Sequence, residues 1–155
     1  MEKVIVQIKS FLDNMAWKYT YDEEERIFKF GIRMQNALGD LKIIIVLRKK
    51  NYSTYIALNN KADAESFSRV SEFINRINYG LLNGNFEMDY SDGEIRYKSF
   101  VDISGSSVSD EVVANSIIVP VFMVKRYGEE LLRVILGELT PEAGAKNAES
   151  KSIEE

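Results

Sequence analysis

The stretch that decides the fold runs from Phe86 to Ile103 and reads FEMDYSDGEIRYKSFVDI. Polar and apolar residues alternate on both sides of Asp92-Gly93, a dipeptide typical of two-residue turns between antiparallel strands. The sequence therefore predicts a β-hairpin with opposite charges paired on its wet side and apolar residues paired on the other. The predicted cross-strand pairs are Asp89 with Arg96, Glu87 with Lys98, Tyr90 with Ile95, and Met88 with Tyr97.

Further strands are predicted upstream of this hairpin. From Phe28 to Met34 every second residue is apolar, which indicates a strand with one buried and one wet face. The segment Leu41 to Leu47 is apolar on both faces, so we expect it to lie in the centre of the sheet. Shorter alternating runs predict strands at Trp17 to Tyr21 and at Thr54 to Leu58.

Three amphipathic helices complete the pattern, because apolar residues recur there at spacings of three and four. They are predicted at residues 3–15, from Asp63 to about Leu82 with Gly84 ending the helix, and from Ser109 to Gly137. Pro120 either kinks the last helix, which its continuous apolar stripe favours, or breaks it near Ile118. We therefore predict an α+β fold in the order α-β(3-4)-α-β-β-α, with helices packed on one face of an antiparallel sheet.

Residues 1–138 are predicted to form one domain, and residues 139–155 an acidic, disordered tail. Thr140-Pro141-Glu142 is compatible with a helix start, but Gly144 and the shortage of apolar residues favour disorder.

Composition excludes several kinds of chemistry. The 155 residues contain no Cys and no His, so there is no thiol nucleophile, imidazole base or ordinary transition-metal site. No phosphate-binding glycine motif occurs, and the acidic run Asp22 to Glu25 lacks the spacing of a calcium loop. We expect no enzymatic activity, no cofactor and no metal.

Because the net charge is −4, we expect no binding to nucleic acid. Because no long apolar run occurs, we expect no membrane binding. Without an export signal, the expected location is the cytoplasm.

Aromatic residues on the strands with one buried and one solvent-exposed face are the candidate binding residues. They either pack under the helices or lie on the open sheet face, where aromatic side chains supply contact area for a partner. The apolar stripe from Phe67 to Leu81 is a second candidate surface, and together with the last helix it favours a homodimer. The predicted partner-binding residues are Trp17, Tyr19, Tyr52, Tyr55, Phe67 and Ile74.

The stretches Arg76 to Tyr90, Asp92 to Tyr97, Asn115 to Pro120 and Arg126-Tyr-Gly128 resemble the YbjN-like family. Members of this family are named as regulators of bacterial sensory transduction, and the family has no agreed biochemical function. The resemblance implies a fold similar to that of type III secretion chaperones, which are typically homodimers, and it lends no catalytic residues.

Three functional hypotheses remain open from the sequence. The first is a cytoplasmic, non-enzymatic, homodimeric module that holds a protein segment on a helix groove, on the open sheet face or at a sheet edge. The second is a small-ligand sensor or enzyme with a site in the helix–sheet cleft. The third is a fold without a recognisable site.

Overall fold

The structure is a computed structural model that describes residues 1–105 and 107–151. Six strands and four helices follow one another along this part of the chain. The helices are α1 (Glu2–Asn14), α2 (Phe67–Asn78), α3 (Asp110–Ile135) and α4 (Pro141–Ser150). The strands are β1 (Tyr19–Asp22), β2 (Ile27–Arg33), β3 (Asp40–Leu47), β4 (Asn51–Ala57), β5 (Asn85–Met88) and β6 (Ile95–Asp102).

All six strands form one antiparallel sheet in the order β1-β2-β3-β4-β6-β5. Register places Phe28, Ile45, Thr54 and Ser99 side by side across four strands, and all four are fully or almost fully buried. The described helices pack on this face, so the predicted α+β class is confirmed. The opposite face of the sheet carries no described helix.

Strand β3 lies inside the sheet between β2 and β4, as its two apolar faces predicted. Ile43 and Ile45 face the helices and are 1% or less exposed. Ile44 and Val46 face the other side and are half-buried.

The predicted register of the β5–β6 hairpin is wrong by two residues. Met88 lies opposite Ile95, Glu87 lies opposite Arg96, and Asp89 N donates to Glu94 O at 2.9 Å, so the loop has the four residues 90–93 rather than two. A shift of two residues keeps every side chain on its predicted face, because the period of a strand is two. Glu87 still carries the charge pairing, with one oxygen 2.6 Å from Arg96 Nε.

Contacts outside the hairpin explain the longer loop. Asp89 and Asp92 turn their side chains back to accept hydrogen bonds from the N–H groups two residues onward. Gly93 has a φ of +75° and its carbonyl accepts a hydrogen bond from Ala62 N at 2.9 Å. A Cβ at this position would lie 1.9 Å from Ala62 O, so the loop fits its neighbour only with glycine there.

Helix α2 is shorter than predicted at both ends. Asp63 accepts a hydrogen bond from Ser66 N at 2.9 Å in a turn that precedes the helix, which begins at Phe67. The helix ends at Asn78, before the predicted glycine end. The Asn78 amide both donates to Phe86 O (2.8 Å) and accepts from Phe86 N (2.9 Å), so it occupies part of the outer edge of β5.

Helix α3 continues through Pro120, and a hydroxyl on the sheet replaces the hydrogen bond that proline removes. Pro120 has no N–H to donate to the carbonyl of Ser116 four residues earlier. Ser99 Oγ on β6 donates to that carbonyl instead, at 3.0 Å. The Ser116 hydroxyl also forms a buried hydrogen bond of 2.8 Å with the Tyr52 hydroxyl of β4.

The predicted disorder of the tail is wrong for residues 141–150, which form helix α4; residues 152–155 lie outside the described residues. Thr140 Oγ1 caps the helix by accepting from Ala143 N at 3.2 Å. Gly144, Ala145 and Ala148 are buried against the other helices. A Cβ at Gly144 would lie 2.9 Å from Val134 and 3.0 Å from Phe73. Helix α4 therefore packs through close approach of its backbone to these side chains, without large apolar side chains of its own.

Ser99→Ala tests the link between β6 and α3. We expect it to lower the free energy of unfolding by about 1–3 kcal/mol, because a buried carbonyl loses its donor. Pro120→Ala restores an N–H at that position. It should therefore be more favourable in the Ser99→Ala background than in the wild-type chain, as measured by urea denaturation of all four proteins. Simple addition of the two single effects would contradict the proposed hydrogen-bond replacement.

Ala148→Asp tests the docking of α4. A carboxylate at this fully buried position should lower the free energy of unfolding by more than about 2 kcal/mol in urea denaturation. The matched control is Asn147→Asp, which adds the same charge at an exposed position and should change stability by less than about 0.5 kcal/mol. Equal small effects at both positions would indicate a tail that does not dock.

Candidate interaction surface on the open sheet face

Two of the predicted partner-binding residues, Trp17 and Tyr19, lie with Tyr21 on the helix-covered side of β1 and β2. Trp17 stacks on Phe30 with ring centroids 5.7 Å apart, and Tyr19 packs against Phe28 at the same distance. Tyr21 lies 4.4 Å from the Phe28 ring centroid. They form a half-buried aromatic cluster next to α1 rather than an exposed surface.

Three further predicted residues also face inward. Tyr52 has no exposed surface, and its hydroxyl forms a hydrogen bond with the Ser116 hydroxyl. Ile74 is 8% exposed in the core, and Phe67 is half-buried with its ring edge against Tyr90. The α2 stripe to which the last two belong packs in the core, and α4 covers part of this region.

Tyr55 is the predicted residue that lies on the opposite side of the sheet, which we call the open face. Its neighbours there are Ile44 and Val46 on β3 and Ala57 on β4. Phe100 on β6 belongs to the same face and is 57% exposed. Around Tyr55 the surface forms a shallow depression of about 290 Å³.

Basic side chains surround this apolar strip. Five of them lie around Ile44, Val46 and Tyr55, where the carboxylates are those of Glu87 and Glu94, although the whole chain has a net charge of −4. The five are Lys29, Lys42, Arg48, Arg96 and Lys98. Nearer the ends of the strands the register places Asp22, Arg33, Asp40 and Asp102 on the same face, with Arg33 paired to Asp40 at 2.8 Å.

Pairing leaves part of this positive charge available. Glu87 binds both Arg96 (2.6 Å) and Lys98 (2.7 Å). Within residues 1–105 and 107–151, no carboxylate lies within ion-pair distance of Lys29, Lys42 or Arg48. The part of the open face around Tyr55 therefore attracts negative charge.

The cations act on Tyr55 directly. Burial by itself raises the pKa of the Tyr55 hydroxyl, but hydrogen bonding to Arg48 and Ser53 and the positive charge of Arg48 and Arg96 lower it overall. The Arg96 guanidinium carbon lies 4.8 Å from the centre of the Tyr55 ring, within the range of a cation–π contact.

The sequence analysis missed most residues of this face because each already had a local explanation. Arg48 belonged to a basic run at a strand end, and Arg96 and Lys98 served as hairpin partners. Ile44 and Val46 gave the available signal, since apolar residues on the second face of a strand mark a surface that needs partial cover.

Two other depressions lie at the surface. A groove of about 440 Å³ separates α1 from the first half of α3, and one of about 330 Å³ lies beside the β5–β6 loop. In the described residues, no cluster of three or more Asp and Glu side chains is arranged to hold a metal ion. Within that same part of the chain, none of the helices is sufficiently long and apolar to span a bilayer.

These features define an α+β protein with one helix-covered and one open sheet face. The model of the YbjN family, described as "Putative bacterial sensory transduction regulator", matches residues 5–133. Because this match covers most of the sequence, the chain belongs to the YbjN family, and the resemblance seen in the sequence is confirmed.

Solved structures similar to this chain include the following two, and the search of curated proteins found no match. One is YbjN from E. coli, described as "a putative transcription regulator", with 13% identity, coverage of 86% of this chain and 89% of that chain, and a TM-score of 0.48. The other is the ExsC–ExsE complex, with 11% identity, coverage of 97% of each chain and a TM-score of 0.46.

Arg48→Gln should raise the pKa of Tyr55, because it removes a positive charge that stabilises the phenolate. In the wild-type protein we expect Tyr55 to ionise below the ordinary tyrosine value of about 10. The measurement is a pH titration of the tyrosine ring signals by NMR, with Tyr55→Phe to assign the resonance.

Ionisation of Tyr55 should also favour the folded state, since its folded pKa lies below its unfolded pKa. This contribution is present above the unfolded pKa and is lost as the pH falls through the folded pKa. Arg33→Gln is the control, because Arg33 pairs with Asp40 at 2.8 Å and does not act on Tyr55. A Tyr55 that titrates at or above the ordinary value would contradict this electrostatic description.

Proposed function

We propose that the chain is a cytoplasmic, non-enzymatic protein-interaction module that binds an extended, acidic segment of a partner protein on its open face. The observation that supports this most strongly is the half-buried apolar strip of Ile44, Val46 and Tyr55 inside a rim of cations. Apolar side chains of a partner segment would cover the strip, and its carboxylates would meet the rim.

Charge favours an acidic partner over a neutral one. Arg48 and Lys42 line the depression without an ion-pair partner in the described chain. Bringing a partner carboxylate to them adds charge-assisted hydrogen bonds that a neutral segment lacks. The surplus of positive charge also attracts acidic segments during approach.

The other docking modes considered from the sequence have less support. The inner side of α2 packs in the core and α4 packs against this region, so this helix leaves less apolar surface for a partner. Asn78 occupies the backbone of Phe86 at the edge of β5, which hinders strand addition at that end of the sheet.

A small-ligand sensor or enzyme remains the alternative class. It needs a pocket between helices and sheet with polar groups directed into it. Tyr52, Ser99 and Ser116 lie in that layer, but they hydrogen-bond to one another. This favours a packed layer over a ligand site, so we give the interaction module priority.

Two copies of the chain are also proposed to associate, as expected from the sequence. The α2 stripe no longer provides the reason, since its residues pack in the core. Support comes instead from the outer side of α3, where Val112 is 44% and Phe122 is 41% exposed.

Fluorescence anisotropy with a labelled peptide of alternating Glu and Leu tests the open face. We expect this peptide to bind more tightly than the same peptide with Lys in place of each Glu, and to bind more weakly as salt is added. Arg48→Glu should weaken binding by about tenfold or more, because an attraction becomes a repulsion. Tyr55→Ala should weaken it as well.

Lys146→Glu is the matched control, with the same change of charge at an exposed position of α4 on the helix side. It should leave the affinity unchanged. The proposal is wrong if the acidic peptide does not bind, if the basic peptide binds equally well, or if Lys146→Glu weakens binding as much as Arg48→Glu.

A further inference from the structure

The residues on the outer face of α3 are arranged so that this face is complementary to the same face of a second copy of the chain. Helix α3 buries one side against the sheet through residues such as Val113, Pro120 and Val124. The side directly opposite carries a stripe at spacings of four, three, four and three, as expected for one face of a helix. The stripe consists of Glu111, Asn115, Ile118, Phe122 and Lys125; Ile118 is half-buried and the other four are exposed.

Charge and shape are distributed symmetrically about Ile118. Glu111 lies seven residues before it and Lys125 seven residues after it. Phe122 lies four residues after Ile118, and the small Ala114 lies four residues before it. A two-fold axis at Ile118 would therefore bring each Glu111 to a Lys125 and each Phe122 to an Ala114 of the other copy.

The surroundings of Ala114 accommodate an aromatic ring. Ala114 lines the groove of about 440 Å³ between α1 and α3, together with Val6 and Phe11. Val6 is 65% exposed, so the α1 wall of this groove presents apolar surface to solvent. A phenyl ring inserted there would cover apolar surface on both helices, as a side chain of one helix fits between those of another in antiparallel packing.

We propose that two copies of the chain associate through antiparallel packing of their α3 helices about Ile118, with Phe122 of each copy inserted beside Ala114 of the other. Glu111 and Lys125 form two symmetric ion pairs at the ends of the contact. This inference rests on the proposed homodimer and supplies its interface and register.

The charges also decide the direction of the two helices. Parallel packing in register would place Glu111 next to Glu111 and Lys125 next to Lys125, and like charges repel. Antiparallel packing replaces both repulsions with attractions. The open face lies on the other side of the sheet and stays accessible in each copy of the dimer.

Charge reversal in separate and mixed samples tests the register. Glu111→Lys alone would set Lys against Lys, and Lys125→Glu alone would set Glu against Glu. We expect each single variant to weaken self-association by about tenfold or more, measured as the dimer dissociation constant by sedimentation equilibrium. An equimolar mixture of the two variants should form heterodimers with close to wild-type affinity, because one ion pair is then the native one and the other is restored in reverse.

Phe122→Glu should give a monomer, because it removes the inserted ring and adds a charge to the contact. Circular dichroism checks its folding, and Lys146→Glu serves as the control that leaves the dimer intact. A monomeric wild-type chain would overturn both the homodimer and this interface. A dimer that resists Phe122→Glu, or two charge variants that do not recover on mixing, would overturn the interface while leaving the homodimer in place.

Peptide binding separates this inference from the proposed function. Phe122→Glu should bind the Glu–Leu peptide like the wild-type chain, since the open face does not include α3. Loss of peptide binding in the folded monomer would overturn the separation of the two surfaces.

Discussion

The seating of α3 on the sheet is the contact on which the rest of the structure depends. This 26-residue helix contains a proline near its middle, and the Ser116 carbonyl that proline leaves without a partner lies at a buried position facing the sheet. Ser99 on β6 supplies the missing donor, and Tyr52 on β4 bonds to the Ser116 hydroxyl. A buried polar group without a partner is costly, so these bonds favour one position of the helix on the sheet.

The other helices are placed relative to α3. Arg69 of α2 donates to the last carbonyls of α3, at Val134 (2.7 Å) and Ile135 (2.5 Å). Arg126 of α3 in turn donates to Ala148 and Glu149 at the end of α4. A cation at a helix C-terminus satisfies free carbonyls and interacts favourably with the helix dipole. Each helix thus helps to hold the end of the next.

This arrangement sorts the surface into two sides with different properties. The helix side contains the large apolar core and the acidic α4 region, and the open face combines a narrow apolar strip with a local excess of cations around Tyr55, although the whole chain is acidic. A surface with both signs evenly mixed would not distinguish partners by charge, whereas the local excess of cations gives the region around Tyr55 a net positive potential. The proposed partner binding and the proposed self-association therefore lie on opposite sides of one sheet.

The sequence by itself determined the elements whose stabilisation is local or periodic. Alternation in β2 and β3 identified strands and the central position of β3, and the α1 and α3 periodicities identified helices, because side-chain geometry repeats every 2 or 3.6 residues. The residues quoted for the family resemblance also led to the correct family. The alternation of side chains along a strand places Tyr52 and Tyr55 on opposite faces of β4, but it does not say which of these faces meets the helices.

Only the tertiary structure decided four features: the hairpin register, the length of α2, the folding of residues 141–150 into α4, and the clustering of cations around Tyr55. The loop at Gly93 is fixed by the backbone of Ala62, about 30 residues earlier in the sequence. The end of α2 at Asn78 is fixed by the backbone of Phe86, which belongs to β5. Helix α4 is stabilised by small residues, because they let it pack closely against its neighbours, as Gly144 does against Val134 and Phe73. The basic rim joins Arg48, which follows β3, with Arg96 of β6, and α2 lies between them in the sequence. Pairing between distant segments brings such groups together, and a local pattern holds no information about it.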